Sequence, residues 1–381
     1  MNRRWVCNDV WMDIFPSFDR PQLGLKLALL SPRFNALVDK HFDGKRELTI
    51  WRTIEIHRKE KGPETKLYVQ MIDDKIVEFP LPDRPLPSKI RFKHLLILYI
   101  DHSVIAFLRS NHQIFDKRGT NLQLWIPSSH DMDELQLIWD VLAREIWPFF
   151  STNIHRLGIY DRDHLDYLLR VTSPTILTDL NQLNSIESFD LLPEAIGADF
   201  DGPNATGGQV LSKWLHSPRK DGQPKRFRCG NTLNAQAHLD WVNSFKEHFL
   251  RANAISSVSY EIHFSVRSTS MPMIPFELVN EWTKEKLTLA KANENDLDRY
   301  KRWIMKRCKI IGEAAAVQQQ KKDENWDDNN CNNVFIWIFA ATNSIGQLSP
   351  PPEEKKPDKA SLRGEMSDGQ NKKHNDQTQK K

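Results

Sequence analysis

A short apolar pattern that keeps returning between helical stretches constrains this chain more than any other feature. Phe92-x-x-Leu95-x-Ile97 shows it, Gly119-x-x-Leu122-x-Leu124 keeps its last two positions, and Ile154-x-x-Leu157-x-Ile159 repeats it in full. Leu183-x-x-Ile186 begins another copy, while Pro224-x-x-Phe227-x-Cys229 and Ile255-x-x-Val258-x-Tyr260 are weaker ones. Alternation over so few residues has the period of a strand. The segments between have helical period: Val104, Phe107 and Leu108; Leu135, Ile138, Trp139, Leu142, Ile146 and Trp147; Leu165, Leu168 and Leu169; Val210, Leu211, Trp214 and Leu215; Leu239, Trp241, Val242, Phe245 and Phe249. Strands alternating with helices imply a mostly parallel sheet. If each copy takes the next place in that sheet, the chain builds a short solenoid whose concave face binds something. The alternative is an ordinary α/β domain in which these apolar pairs are only core.

Both flanks of this region read differently. "SVSYEIHFSV", "PFELVNEWTKEKLTLAKAN" and "RYKRWIMKRCKII" alternate apolar and polar residues and are expected as antiparallel strands closing the domain. Pro80, Pro82, Pro85 and Pro87 predict an extended linker or ordered loop ahead of the repeat. From about Leu348 the chain is Pro, Lys, Asp, Gln and Ser, too polar to bury a core of its own. "VFIWIF", just before, is expected as one edge strand or a diverged end of the reading frame.

Composition narrows the function classes. With 53 Lys and Arg against 50 Asp and Glu, the net charge of +3 gives no general pull on polyanions. Within Arg299 to Lys309 the basic residues alternate with apolar ones, which describes a half-exposed strand better than a nucleic-acid stripe. Cys7, Cys229, Cys308 and Cys331 form no CxxC pair, so zinc ligation lacks support and a reducing compartment fits. Asp161, Asp163, His164 and Asp166 offer metal-type side chains, yet read more simply as a loop entering a helix. No metallohydrolase, serine-hydrolase or phosphate-loop signature occurs, so catalytic residues, cofactors and metals are not expected. The opening MNRRWVCNDVWMDIF lacks the unbroken apolar run of a signal peptide, and no window reaches membrane-span length. The expectation is a soluble intracellular protein of the cytoplasm, the nucleus or both.

The segment "DIFPSFDRPQLGLKLALLSPRFNALVDKHF" poses a packing question. Asn8 is expected to cap a first helix carrying Val10, Trp11, Ile14 and Phe15, which Pro16 ends. Asp19 and Gln22 make a capping-box-like pair before Leu23, Leu27 and Leu30, with Leu25 and Leu29 nearby. Ser31-Pro32 then starts a helix with Phe34, Leu37, Val38 and His41, and Gly44 is a plausible stop. Three helices this short bury too little surface to stand alone. Either they pack on the rest of the protein or their spare apolar face meets another chain.

The residues Asp9-Val10, Ile14-Phe15, Leu23, Leu27-Ala28-Leu29-Leu30-Ser31 and Arg33-Phe34-Asn35 resemble an F-box. The family's usual Leu-Pro opening is replaced by Cys7-Asn8. Further along, Phe276-Glu277-Leu278, Asn280, Trp282-Thr283, Glu285, Leu287-Thr288-Leu289, Arg307-Cys308 and Ile310 resemble a stretch of F-box-like proteins expanded in nematodes. "SIESFDLLPE" and "KWLHSPRKDGQPK" do so too, and the resemblance spans about residues 6 to 312. It implies a non-catalytic adaptor of a Skp1–cullin–F-box ubiquitin ligase. Val10, Trp11, Ile14, Phe15, Leu23, Leu29 and Phe34 would include the apolar anchors toward a Skp1-like adaptor, and an unidentified protein substrate would sit on the remainder. No nucleic acid or membrane is expected as partner. A solenoid-like scaffold with a degenerate F-box is the alternative.

The expected fold is therefore of mixed α+β and α/β class. A three-helix F-box-like module over 5–44 leads into strands and a Pro-rich linker over 45–91. An irregular leucine-rich-repeat-like α/β recognition domain follows over 92–312, closed by antiparallel strands. A mostly disordered polar tail would occupy 313–381.

Overall fold

Strands form at the repeated apolar pattern because alternate side chains then reach one face, where helices can cover them. The computed structural model describes residues 6–43, 50–58, 64–70, 75–87, 91–112, 119–126, 132–160, 162–189, 191–194, 205–230, 235–253, 258–267, 273–292, 300–310, 334–340, 344–346 and 348. The chain starts with α1 (Asn8–Ile14), α2 (Arg20–Gln22), α3 (Ala28–Leu30) and α4 (Pro32–Asp43), a π turn over Leu23–Leu27 joining α2 to α3. Next come β1 (Ile50–Arg58), β2 (Thr65–Gln70), β3 (Ile76–Pro80), β4 (Arg91–Ile97), α5 (His102–Ser110) and β5 (Thr120–Trp125). The middle continues with α6 (Met132–Val141), β6 (Ile154–Ile159), α7 (Arg162–Val171), α8 (Ile176–Asp179), β7 (Ser185–Ser188), α9 (Gly207–His216), β8 (Lys225–Cys229) and α10 (Ala235–Arg251). Last are β9 (Tyr260–Arg267), β10 (Phe276–Asn280), β11 (Glu285–Lys291), β12 (Tyr300–Lys309) and β13 (Val334–Phe339).

The described strands make one mixed sheet of 13, ordered β10-β11-β12-β9-β8-β7-β6-β5-β13-β4-β1-β2-β3. Pairing is parallel from β1 through β9. It is antiparallel through β2 and β3 at one edge and through β12, β11 and β10 at the other. The fold is mixed α/β, as expected, and β10, β11 and β12 close one edge of the sheet antiparallel, whereas β9 pairs parallel with β8. Consecutive parallel strands take neighbouring places in one direction. Right-handed crossovers then put every connecting helix on the same face.

The apolar repeat is the register of this sheet. Leu95, Ile336, Leu122, Leu157, Ile186, Phe227 and Ile262 stand side by side on β4, β13, β5, β6, β7, β8 and β9. Each is 1% exposed or less, and burying such a side chain contributes about 1.5–3 kcal/mol. The copy on β9 is shifted from the expected place. Phe227 faces Ile262, so Ile262-x-Phe264 continues the row and Tyr260 sits opposite Lys225.

β13 departs furthest from expectation. "VFIWIF", expected at an edge, lies between β4 and β5 in the middle of the parallel sheet. Val334 N–H donates to the Gly119 carbonyl at 3.0 Å and Ala340 N–H to that of Trp125 at 3.2 Å. Val334, Ile336 and Ile338 are buried. An edge strand would leave half its backbone groups to solvent, whereas here both sides are paired.

Local chemistry fixes the helix starts in some places and not in others. Asp101 caps α5, its Oδ1 accepting from Ser103 N–H at 2.9 Å and Val104 N–H at 3.0 Å, while Thr65 donates to its Oδ2 at 2.7 Å. Thr206 and Gln209 form a capping box on α9. In the first helices, Asn8 is not a cap. Cys7 holds that position without a side-chain bond, and Asn8 Oδ1 instead accepts from Arg33 at 2.7 and 3.1 Å. Asp19 makes no side-chain cap bond either, so the pair with Gln22 is not a capping box. Ser31 does bond to Phe34 N–H, at 3.3 Å. Gly44, Asp161 and Cys331 lie outside the described residues.

Candidate functional site

Two surfaces answer the sequence expectations, one on the first helices and one on the sheet. In the helices the side chains divide by burial. Phe15 and Leu23 are 0% and 1% exposed and belong to the main apolar core. Trp11 and Phe34 pack against that core and against each other, ring centroids 4.9 Å apart and edge-on. Val10 is 46% exposed and Leu30 63%, while Ile14 and Leu29 are half-buried. Of the expected anchors, Phe15 and Leu23 hold the fold, Val10 faces solvent, and Ile14 and Leu29 are partly accessible. Val10 and Ile14 stand one turn apart on the same face of α1.

The helices also pack on the rest of the molecule. Lys26 Nζ lies 5.6 Å from the centre of the Phe79 ring on β3. Arg84 donates to the Leu29 carbonyl at 3.2 Å, and Leu86 N–H to Asn111 Oδ1 at 2.8 Å. The Pro-rich stretch over 81–87 is thus an ordered strap joining the first helices to α5. One side of the segment is thus core, and the other carries exposed apolar groups.

The second surface is the face of the sheet turned away from α5–α10. Helix α10 packs on Tyr260 and Phe264 through Phe245, Trp241 and His238, so Glu261, His263 and Ser265 point to the opposite side. Across the parallel strands that opposite side carries Phe335, Asn121, Arg156, Ser185, Arg226 and Glu261 in one row. Trp337, Gln123, Gly158, Glu187, Arg228 and His263 form the next. Among the described residues no helix covers it.

An aromatic stack crosses the carboxyl ends of four neighbouring strands. Trp125 and Tyr160 lie face to face with centroids 4.8 Å apart, Tyr160 and Phe189 at 4.3 Å, and Phe339 leans on Trp125 at 5.0 Å. Trp125 is 41% exposed and Phe189 36%. Sequence reasoning missed these residues, although each directly follows the last position of a repeat: Leu124-Trp125, Ile159-Tyr160, Ser188-Phe189 and Ile338-Phe339. Ring and charge alternate further along. Glu261 accepts from Lys306 at 2.7 Å and Arg226 at 3.2 Å, with His263 at 3.7 Å. Burial pulls the Glu261 carboxyl upward, but the bonds from His263 and Lys306 and the charges of Lys306 and Arg226 outweigh it and hold the pKa near 2.

The basic stretch expected as a half-exposed strand is β12. Trp303, Met305 and Arg307 are buried, Ile304 and Lys306 half-buried, and Arg302 exposed. Arg307 is committed inward, to Glu285 at 2.6 Å. Asn280, at the end of β10, is a joint. Its amide donates to the carbonyls of Phe249 and Ala252 at 2.6 and 2.9 Å, and its oxygen accepts from Trp282 and Thr283 N–H. It ties the end of α10 to the β10–β11 turn, where Trp282 is 79% exposed.

Among the expected metal-type side chains, Asp166 accepts from Gly207 N–H at 2.7 Å and His164 is buried near Trp139. No group of three His, Cys, Asp or Glu among the described residues is placed to hold a metal ion. No described helix is long and apolar enough to cross a membrane. No protein-family model, curated protein or solved structure matches the chain.

Proposed function

We propose that this chain is a non-catalytic adaptor, an F-box-type protein that docks a Skp1-like partner on α1–α4 and holds a target protein on its leucine-rich-repeat-like sheet. The observation that carries the reading is the division of the first helices. Phe15 and Leu23 are spent on the core, while Val10 and Leu30 are exposed and Ile14 and Leu29 only half-buried. That is the arrangement helix-in-groove recognition requires. The resemblance of residues 9 to 35 to an F-box names the partner. Such a protein accelerates ubiquitin transfer by raising effective concentration and fixing orientation, with no acid–base group of its own.

The test is capture of purified Skp1 by the full chain. Val10→Asp/Ile14→Asp should cut capture by roughly tenfold or more, since charges would enter a desolvated contact. Both residues lie outside the core, so the thermal midpoint should stay put. Equal capture by wild type and variant would exclude docking through α1. The second reading, a scaffold with a degenerate F-box and no ligase role, draws on Cys7-Asn8 standing in place of Leu-Pro. It predicts target binding by a wild-type chain that captures no Skp1.

A further inference from the structure

A parallel sheet ordinarily buries both faces under helices, because its strands are apolar on both sides. Here the second face alternates aromatic and charged groups, a composition suited to a partner rather than to a core. Next to the aromatic stack, Gly230 leaves room for Phe189: a Cβ at Gly230 would lie 3.1 Å from that ring. Gly230 also lines a cavity of about 520 Å³ whose walls include Glu187, Arg228, His263, Arg302 and Ile304. Aromatic stack and cavity are therefore one continuous surface, joined at a residue without a side chain. Among the described residues of β6–β9 and β12, cations outnumber carboxylates on it. Arg156, Arg226, Arg228, Arg302 and Lys306 share the face with Glu187 and Glu261, and Glu261 is already engaged by Arg226 and Lys306.

We propose that this surface binds an extended peptide segment of the target in which an acidic side chain neighbours an aromatic one. The carboxylate lies against Arg228 and Arg302, where the guanidinium fork favours two parallel bonds to a carboxylate. The aromatic side chain extends the stack over Phe189 and Trp125. A cavity of this size takes a few side chains, not a folded domain. A nucleic-acid strand fits less well. Glu187 sits in the wall and would repel a continuous row of phosphates, whereas strand-binding grooves are basic along their whole track. The inference rests on reading the sheet as the target-holding part and is independent of Skp1 docking.

Phage-displayed random peptides selected on the full chain, without Skp1, test it. Asp and Glu should be enriched together with Phe, Tyr and Trp. A synthetic peptide of the selected consensus should bind the Arg228→Gln/Arg302→Gln variant roughly tenfold more weakly, the loss of about 1.4 kcal/mol. Phe189→Ala, which leaves both arginines in place, should weaken it as well, so a charge effect on folding is not mistaken for recognition. Selection without acidic enrichment, selection of nothing, equal binding by the arginine variant, or displacement of the peptide by oligodeoxythymidine would overturn the proposal. A chain that captures Skp1 but selects no acidic peptides loses this inference alone. One that selects them without capturing Skp1 loses only the docking.

Discussion

The two faces of the sheet are built from the same strands and obey opposite rules. On the helix-covered face, neighbouring strands present Leu95, Ile336, Leu122, Leu157, Ile186 and Phe227 in one row. Two cations on that face are locked to partners: Arg307 to Glu285, and Lys225 to the Trp214 carbonyl and, at 2.6 Å, to the Ser217 hydroxyl. One residue over, on the open face, the rows hold Arg156, Gln123, Glu187, Arg228 and His263, with stacked rings at the strand ends. Alternation along a strand thus separates the positions that determine stability from those free to determine recognition.

The sharpest way to break this comparison is to truncate one residue from each face. Phe227→Ala should cost about 3–5 kcal/mol of unfolding free energy, because the helix layer cannot collapse into the space. Denaturant unfolding reads the effect.

Acid should separate the faces at a somewhat smaller scale. Burial lowers His216, packed beside Phe245 and Tyr260 on the covered side, to about 4, the bond to the Ser212 carbonyl opposing and the nearby cations Arg307, His248 and Lys225 adding to the fall. An unfolded chain takes up that proton near 6.5 and the folded chain only near 4, so stability declines as pH falls through that window. Glu261, on the open face, should lose its contribution lower, between 4.5 and about 2. Each window is worth on the order of 3 kcal/mol. Glu261→Gln should remove the lower window and leave the upper. A single acid transition unchanged by that substitution would deny Glu261 its role.

Smallest is Trp125→Ala on the open face. It should cost about 1 kcal/mol, the worth of its ring contacts. A cost equal to that of Phe227→Ala would mean that both faces are core.

Much of this was legible in the sequence, and the exceptions share a cause. The row through Leu95, Leu122, Leu157, Ile186 and Phe227 follows from local alternation, which each strand carries in itself. β13 shows the same alternation, yet its place between β4 and β5 depends on partners more than two hundred residues away, about which a local pattern is silent. The repeat on β9 lies four residues beyond its expected place because Val258-x-Tyr260 and Ile262-x-Phe264 satisfy the same pattern, and only pairing with Phe227 and Cys229 chooses between them. In the first helices, periodicity gathers Val10, Ile14 and Phe15 together without saying which faces the core. The aromatic stack was hidden for the β13 reason: its rings come from four strands far apart in the sequence, and parallel register brings them into contact.

Hydroxyl-radical footprinting of the full chain measures the division of the two faces most directly. Trp282, 79% exposed, and Trp214, 1% exposed, set the fast and slow limits within one sample. The two-faced account predicts that Trp125 and Phe189 oxidise at rates between the two limits and well above the slow one, with Trp139 and Phe227 at the slow one. Trp125 and Phe189 protected as fully as Trp214 would contradict it, because the face assigned to recognition would already be covered.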